Sequence, residues 1–299
     1  MQVLGIDVGG TTVKFGVVDD QGEISAKKAF KTAEWENIGF VDCLKEKIKE
    51  YLSNFQKIDK IGIGWPGLLS RDRYSVISLA NIPSVQNVDI VKEIQSVIPE
   101  VHVLMENDAS CACLGEMQYG ITKNEEHYVM LTLGTGVGGG IVINRKLFIG
   151  GNGNAAEFGH GLSRNGKELE HILGLNHIIK YTKDRLLIEK PSTLLEIDKL
   201  TPKSIFEAAE NGDEFCQSVY DYLGTVLGES MVAIINALDI TTFVLAGGVA
   251  GAFDYLKPAI EKVIEENMVP YYKDKFTLLK SSLHGEIGLL GAASLHIAK

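Results

Sequence analysis

Apolar residues at the start of the chain form two short runs on either side of a glycine turn. Residues 2–8 predict a strand, residues 9–11 (Gly-Gly-Thr) a tight turn, and residues 12–18 a second strand with alternating apolar positions. The same succession returns at residues 128–143, where YVMLTL, GTGVGG and GIVI predict strand, turn and strand. Two similar openings favour a protein with two similar halves.

Apolar residues three or four positions apart predict helices between and after these strands. Residues 34–52 have this spacing and predict one amphipathic helix. Further strands are predicted at residues 61–64, 101–105 and 241–248, and further helices at residues 108–117, 202–209, 214–238, 259–266 and 288–299.

Strands and helices alternate in both halves, which indicates an α/β fold. The chain has 299 residues, enough for two hydrophobic cores. We place the domain boundary near residue 118, so that residues 1–117 form a small α/β domain and residues 118–287 a larger one. Residues 288–299 predict a short apolar helix that packs back on the first domain.

Composition narrows the class of protein. The start lacks a signal peptide, and no run of about 18 apolar residues predicts a membrane span. The four cysteines include no CxxC pair, which fits a reducing compartment, so we expect a cytoplasmic protein without a membrane partner. The net charge of −10 repels polyanions and argues against nucleic-acid binding.

The 32 glycines cluster in a few places, and the first cluster has the chemistry of a phosphate cradle. A Gly-Gly-Thr tip lets backbone N–H groups approach an anion, because a Cβ would block that approach. Thr11, Thr12 and Lys14 add hydroxyl groups and a cation. Asp7 suits a Mg²⁺ ion held through water, since Mg²⁺ keeps several waters and few carboxylates.

Two other glycine-rich segments fit the G-x-G-x-x-G pattern without its structural context. Pro66 interrupts the segment at residues 62–67, and the segment at residues 134–139 continues into a strand. A dinucleotide site requires such a loop to open a helix. The Walker pattern with Gly-Lys-Ser/Thr is absent as well. If a nucleotide binds, a different arrangement of residues must hold it.

Six motifs together resemble the ROK family (repressors, open reading frames and kinases), whose enzymes are similar to bacterial glucokinase. They are, in order, GIDVGGTTVK, GIGWPG, ENDA, TLGTGVGGG, AAEFGH and VLAGGV, and they span residues 5–249. The resemblance implies a two-domain actin-like ATPase (ribonuclease H-like) fold, with nucleotide and sugar in the cleft between the domains. We also expect a homodimer.

The resemblance assigns the candidate site residues. The ATP-binding residues implied are Asp7, Gly9, Gly10, Thr11, Thr12 and Lys14 in a first phosphate loop, Thr132, Gly134, Thr135 and Gly136 in a second, and Gly247 and Gly248 beside the nucleoside. The hexose contacts implied are Gly67, Asn81, Asn107, Asp108, Glu157, His160 and Glu170.

The chain departs from the family pattern after His160. Many members have a cysteine-rich stretch there that binds structural zinc, whereas GHGLSRNGKELEHILG contains no cysteine, so we predict no structural zinc. Leu169-Glu170 still aligns with the end of that motif. The short GKELE form resembles the family's polyphosphate-using glucokinases, which leaves the phosphoryl donor open.

Two of the candidate sites have plainer interpretations. Asp108 stands where a strand gives way to a helix, so it could serve only as an N-cap; the adjacent Asn107 and the family match favour a catalytic base. Glu157 and His160 are three residues apart, which suits a metal pair as well. No further ligands have matching spacing, and a carboxylate with a neutral imidazole binds sugar hydroxyls well.

These residues predict a kinase that phosphorylates a hexose with ATP and Mg²⁺, and glucose is the first choice of substrate. N-acetylmannosamine, N-acetylglucosamine, fructose and a β-glucoside stay open as substrates. A sugar-sensing transcriptional regulator of the same family is the non-enzyme alternative, although the phosphate loop starts at Gly5 and leaves no room for a helix-turn-helix. An actin-like ATPase acting on proteins would not need the sugar contacts.

Overall fold

A computed structural model describes residues 1–55, 57–78, 82–189, 191 and 194–297. The chain forms two compact units. The first unit comprises residues 1–126, 140–156 and 282 onward, and the second comprises residues 127–139 and 157–281.

Strands and helices alternate along the chain, which confirms the predicted α/β class. The strands are β1 (Gln2–Val8), β2 (Thr12–Asp19), β3 (Ile24–Lys31), β4 (Lys60–Trp65), β5 (Leu68–Leu69), β6 (Val76–Ser78), β7 (His102–Asn107), β8 (Tyr128–Leu133), β9 (Val137–Ile143), β10 (Lys146–Leu147), β11 (Thr242–Ala246) and β12 (Thr277–Lys280).

Helices follow or separate these strands. They are α1 (Thr32–Ile38), α2 (Phe40–Asn54), α3 (Ile90–Gln95), α4 (Asp108–Tyr119), α5 (Glu170–Leu173), α6 (Leu175–Glu189), α7 (Pro202–Glu210), α8 (Glu214–Leu238), α9 (Phe253–Asn267), α10 (Pro270–Lys273) and α11 (Ile287–Ser294). Short 3-10 turns lie at Pro83–Val85, Phe158–His160, Ile197–Lys199, Val249–Ala252 and His284–Glu286. Among the described residues, none of the helices is long and apolar enough to cross a membrane.

The sheet of the first unit has the order β3-β2-β1-β4-β7. Strands β1 and β2 form the predicted antiparallel hairpin, whereas β4 runs parallel to β1 and β7 parallel to β4. The register places Asp7 beside Gly64, and Gly64 beside Glu106. The carboxyl ends of β1, β4 and β7 therefore meet at one edge, where α/β proteins place their chemistry.

The second sheet has the order β10-β9-β8-β11-β12, and β8, β11 and β12 are parallel. In the second unit, α8 and α9 pack closely at Gly224, where an added Cβ would lie 2.5 Å from the Leu256 carbonyl oxygen. The predicted helix at residues 214–238 is confirmed over its full length.

The single helix predicted at residues 34–52 is wrong. Two helices, α1 and α2, meet at Gly39, whose φ of +131° is a conformation that side chains with a Cβ rarely adopt. The break turns Ile38 out of the apolar face, and this side chain is 77% exposed. Two other helices differ from their predicted bounds. Helix α9 begins earlier than predicted, at Phe253, and α11 ends earlier than predicted, at Ser294.

Helix α11 belongs to the first unit and packs directly against the backbones of other elements in that unit. A Cβ added to Gly62 of β4 would lie 1.8 Å from the Ala292 carbonyl oxygen, and one added to Gly291 would lie 2.1 Å from the Cys111 carbonyl oxygen of α4. A Cβ added to Gly5 of β1 would lie 2.7 Å from the Leu289 carbonyl oxygen. Helix α11 thus holds β1, β4 and α4 together through positions that admit only glycine.

A buried carboxylate joins two segments beside this helix. Glu116 of α4 has no exposed surface. Its oxygens accept the Ile121 N–H at 2.9 Å and the Ser282 N–H at 3.1 Å. Because burying a carboxylate is costly without such donors, Glu116 ties the residues that follow α4 to those that precede α11.

We expect Gly62→Ala to lower the free energy of unfolding by about 1–3 kcal/mol or more, because α11 must move away from β4 to admit the methyl group. Chemical denaturation measures the change. Gly285→Ala is the matched control, since an added Cβ at Gly285 meets nothing within 4 Å. A Gly62→Ala protein as stable as the control would contradict the close packing of α11.

Candidate active site

The first glycine turn is pinned by hydrogen bonds from its own flanks. The Gly9 N–H donates to the Thr12 carbonyl oxygen at 2.9 Å, and the Thr32 N–H donates to the Thr11 carbonyl oxygen at 3.0 Å. The Thr32 hydroxyl donates to the Gly9 carbonyl oxygen at 2.7 Å. Gly10 and Thr11 stay exposed at the tip, as a phosphate cradle requires.

Asp7 is the last residue but one of β1, just before this turn. Its Oδ2 atom lies 3.2 Å from the Lys14 Nζ atom across the hairpin. Gly288 of α11 faces the carboxylate so closely that a Cβ there would lie 2.3 Å from Asp7 Oδ2. The side chain of Asp7 is therefore held between β2 and α11.

The donor set around Asp7 fits magnesium better than a transition metal. Mg²⁺ binds through one or two carboxylates, waters and substrate phosphates, so a single carboxylate beside a phosphate cradle is suitable. Over the described part of the chain, no three or more His, Cys, Asp or Glu side chains are grouped as a metal site. The absence of structural zinc stays a prediction.

At the start of α4, Asn107 and Asp108 make different hydrogen bonds. Asn107, not Asp108, is the N-cap, because the Asn107 Oδ1 atom accepts the Ser110 N–H at 3.1 Å. Asp108 is the first helical residue, is half-buried, and accepts the Ala109 N–H at 2.8 Å. The interpretation of Asp108 as the cap is thus wrong. The Asn107 Nδ2 atom also donates to the Gly67 carbonyl oxygen at 3.3 Å.

In the second unit, Glu170 lies against the second glycine loop. Its Oε2 atom accepts the Val137 N–H at 3.1 Å. A Cβ added to Gly136 would lie 2.2 Å from that oxygen, and one added to Gly159 would lie 3.5 Å from it. One carboxylate therefore connects the loop at residues 134–137 with the 3-10 turn that ends at His160.

Glu157 and His160 belong to that same turn. The His160 N–H donates to the Glu157 carbonyl oxygen at 3.2 Å, and the His160 Nδ1 atom lies 3.3 Å from Glu168 Oε2. Burial raises the pKa of Glu157, the charge of His160 lowers it, and the charge of Glu170 raises it. Two carboxylates and one imidazole thus form an electrostatically coupled cluster in the second unit.

The turn after β11 opens onto an apolar cavity of about 290 Å³ in the second unit. Gly247 has a φ of +88°, and a Cβ there would lie 2.3 Å from the Leu133 carbonyl oxygen. Gly248 lines the cavity, and a Cβ added there would meet nothing within 4 Å. The other walls are Leu175, Ile178, Pro202, Lys203, Phe206, Tyr220, Val249, Gly251 and Ala252.

The sequence did not reveal these walls, because apolar residues on helices look like ordinary core positions. Only Gly248 pointed to the cavity. Thr132 is the last residue but one of β8, and in the sheet register it lies beside Ala246, the residue that precedes Gly247. Thr135 follows Gly134, whose N–H donates to the Gly136 carbonyl oxygen at 2.9 Å.

The candidate residues therefore form groups within each unit. The first unit holds the residues from Asp7 to Lys14 together with Gly67, Asn107 and Asp108. The second unit holds the carboxylate cluster, the second glycine loop and the cavity. Asn81, predicted as a hexose contact, lies outside the described residues.

Comparison with known proteins agrees with the motifs. The model of the ROK family matches residues 3–299. A glucokinase of Halalkalibacterium halodurans is 31% identical, over 98% of this chain and 94% of its own length.

Solved structures show the same fold. A protein from Cytophaga hutchinsonii is 46% identical with a TM-score of 0.94, over 99% of this chain and 100% of its own. A ROK glucokinase from Streptomyces griseus, in complex with glucose and AMPPNP, is 27% identical with a TM-score of 0.82, over 99% of both chains. The actin-like ATPase fold expected from the motifs is thereby confirmed.

We expect Glu157 to titrate at a higher pH than an ordinary glutamate, because burial raises its pKa. Glu170→Gln removes a negative charge and should lower the pKa of Glu157, whereas His160→Gln removes a group that lowers it and should raise it. Carboxyl ¹³C NMR measures both shifts. Glu189→Gln, which removes an exposed charge on α6, serves as the control. A Glu157 pKa unmoved by both changes would contradict the cluster.

Proposed function

This chain belongs to the ROK family, and on that premise we propose that it transfers the terminal phosphoryl group of ATP to a hydroxyl of a hexose. The observation that carries the proposal is the division of tasks at the start of α4. Asn107 caps the helix, so the Asp108 carboxylate is not needed for capping. A half-buried carboxylate at the carboxyl edge of the sheet is suited to act as a base.

The reaction needs a base and an oxygen nucleophile in line with the phosphate. The hexose hydroxyl oxygen forms a bond to the terminal phosphorus, and the bond from that phosphorus to the bridging oxygen breaks, which releases ADP. Asp108 accepts the hydroxyl proton. The amides and hydroxyls of residues 9–12 and of residues 134–136 bind the phosphates, and Lys14 adds a positive charge.

Magnesium, when bound, neutralises the phosphate charge that develops during transfer. Asp7 is the residue that would hold it, through water, because Asp7 adjoins the first glycine turn and is fixed by Lys14 and α11.

The carboxylate cluster of the second unit binds the sugar in this proposal. Glu157 and Glu170 accept hydrogen bonds from hydroxyl groups, and His160 donates or accepts. Glu170 is oriented by the Val137 N–H at 3.1 Å, so its geometry is set before a sugar arrives. Gly67 and Asn107 add contacts from the first unit, and Asn81 remains a proposed contact.

The apolar cavity beside Gly248 supports ATP as the donor. A purine base fills such a cavity, whereas inorganic polyphosphate has no apolar group to place there. The Streptomyces griseus relative was solved with AMPPNP. The short GKELE segment nevertheless makes polyphosphate the donor to compare.

Glucose is the proposed first substrate, since the Halalkalibacterium halodurans relative is a glucokinase and the Streptomyces griseus one was solved with glucose. N-acetylmannosamine, N-acetylglucosamine, fructose and a β-glucoside are the competing sugars, because one hydroxyl or acetamide group changes the fit to the pocket. We also propose a homodimer that works in the cytoplasm, where ATP is available.

A coupled kinase assay tests the proposal, with this panel of hexoses and with ATP or polyphosphate as donor. We expect the highest kcat/KM with glucose and ATP. Gly248→Phe, which places a ring in the cavity, should raise the KM for ATP and leave the KM for glucose nearly unchanged. A wild-type protein that phosphorylates none of these sugars with either donor would overturn the proposed function.

We expect Asp108→Asn to lower kcat by about 10²- to 10⁴-fold, because asparagine keeps the shape of the side chain but cannot accept the proton. Hexose affinity, measured by calorimetry, should change far less. Asp7→Asn is the comparison, and it should weaken Mg-ATP binding while hexose affinity stays the same. If Asp108→Asn retains more than about a tenth of wild-type kcat with an intact fold, another residue is the base.

A further inference from the structure

An arginine from the loop after β5 lies mostly buried against the strand that leads to Asp108. The Arg73 Nε atom donates to Glu106 Oε2 at 2.8 Å. The two side chains are only 14% and 9% exposed. A buried ion pair is a poor source of stability, because the loss of hydration offsets much of the attraction between the charges. This pair therefore calls for another explanation.

The second oxygen of Glu106 acts on the neighbouring residue. Glu106 Oε1 accepts the Asn107 N–H at 2.8 Å. Asn107 in turn caps α4 through Ser110 and donates to the Gly67 carbonyl oxygen. The orientation of the Glu106 carboxylate thus sets the backbone from which Asp108 projects.

The Arg73 guanidinium group also donates hydrogen bonds to the backbones of two loops. Its Nη1 atom donates to the Ser70 carbonyl oxygen at 3.1 Å, and its Nη2 atom donates to the Gly153 carbonyl oxygen. Nearby, Asn154 exchanges two hydrogen bonds with the Leu69 backbone, at 3.0 and 2.9 Å. Three segments of the first unit are joined by one guanidinium group.

The backbone of Arg73 is itself strained. Its φ of +64° lies in the left-handed region, which is uncommon for residues other than glycine. Such strain persists only where the surroundings determine the conformation strongly, and it occurs most often at functional sites. The fork geometry of arginine explains why this residue is used, because Nε, Nη1 and Nη2 bind three acceptors at fixed angles.

We propose that Arg73 and Glu106 are positioning residues for the proposed base Asp108. They hold the Asn107 backbone and the Gly67 loop in one arrangement, so that the carboxylate of Asp108 meets the hexose hydroxyl at a fixed distance. This inference rests on the proposed kinase function. Neither side chain is a proposed contact of sugar or nucleotide.

The test separates positioning from stability with a double variant. Arg73→Met leaves the Glu106 charge buried and should destabilise the protein, whereas Arg73→Met/Glu106→Leu removes both charges and should recover much of that stability. If the pair were only structural, kcat would recover as well. We expect kcat of the double variant to stay about ten- to a hundredfold below wild type, because Asp108 is no longer held in place.

Two control variants accompany the test. Arg71→Met removes an exposed arginine from the same loop and should not change kcat. Lys45→Met breaks a partly buried ion pair, in which Lys45 Nζ lies 3.1 Å from Glu93 Oε2, and shows the effect of a lost ion pair away from α4. Arg73→Lys keeps the charge without the fork, and we expect its kcat to lie between those of wild type and Arg73→Met.

Amide hydrogen exchange gives a second measurement that does not depend on catalysis. In the double variant, exchange at Asn107 and Ser110 should accelerate more than exchange in the core strand β1. The inference is overturned if the double variant recovers wild-type kcat, or if exchange at these two amides stays at its wild-type rate. If the wild-type protein phosphorylates no sugar, the proposed function fails, and the exchange result alone decides whether the pair orders the loop.

Discussion

The arrangement of the first unit depends on the close approach of helix α11 to the backbones of β1, β4 and α4. At Gly62 the missing Cβ leaves room for the Ala292 carbonyl oxygen, and at Gly291 for that of Cys111. Such contacts admit no added side chain, because backbone atoms cannot move aside by changing rotamer. Since Asp7 lies one residue before the end of β1 and α4 begins at Asp108, the same packing sets where both candidate carboxylates lie.

Three of the candidate carboxylates are oriented by neighbouring groups before any substrate binds. Lys14 and the backbone of α11 hold Asp7, and the Val137 N–H holds Glu170. Asp108 is placed by its neighbour Asn107, which performs the capping that Asp108 would otherwise provide. Pre-set geometry of this kind lowers the cost of ordering the site when substrate binds. In our proposal, the Arg73–Glu106 pair in turn holds the backbone of Asn107.

The second unit divides recognition between a polar cluster and an apolar cavity. Glu157, His160 and Glu170 are coupled through their charges, which suits the hydroxyl groups of a sugar. The cavity beside Gly248 is mostly apolar and suits a planar base. The loop at residues 134–137 contacts Glu170, so the proposed phosphate loop and the proposed sugar site share a residue. We therefore expect a change at Gly136 to affect both functions.

The sequence by itself determined the α/β class, the glycine hairpin, the long helix α8 and, through six motifs, the family. These features are local, because alternation, helical spacing and glycine turns depend on neighbouring residues. The tertiary structure decided the rest. It broke the first predicted helix at Gly39, made Asn107 the cap in place of Asp108, and brought Arg73 to Glu106 across 33 residues of chain. The spacing of apolar residues in the predicted helices could not distinguish residues that line the cavity from residues of the core. Burial and contacts between distant residues exist only once the chain has folded.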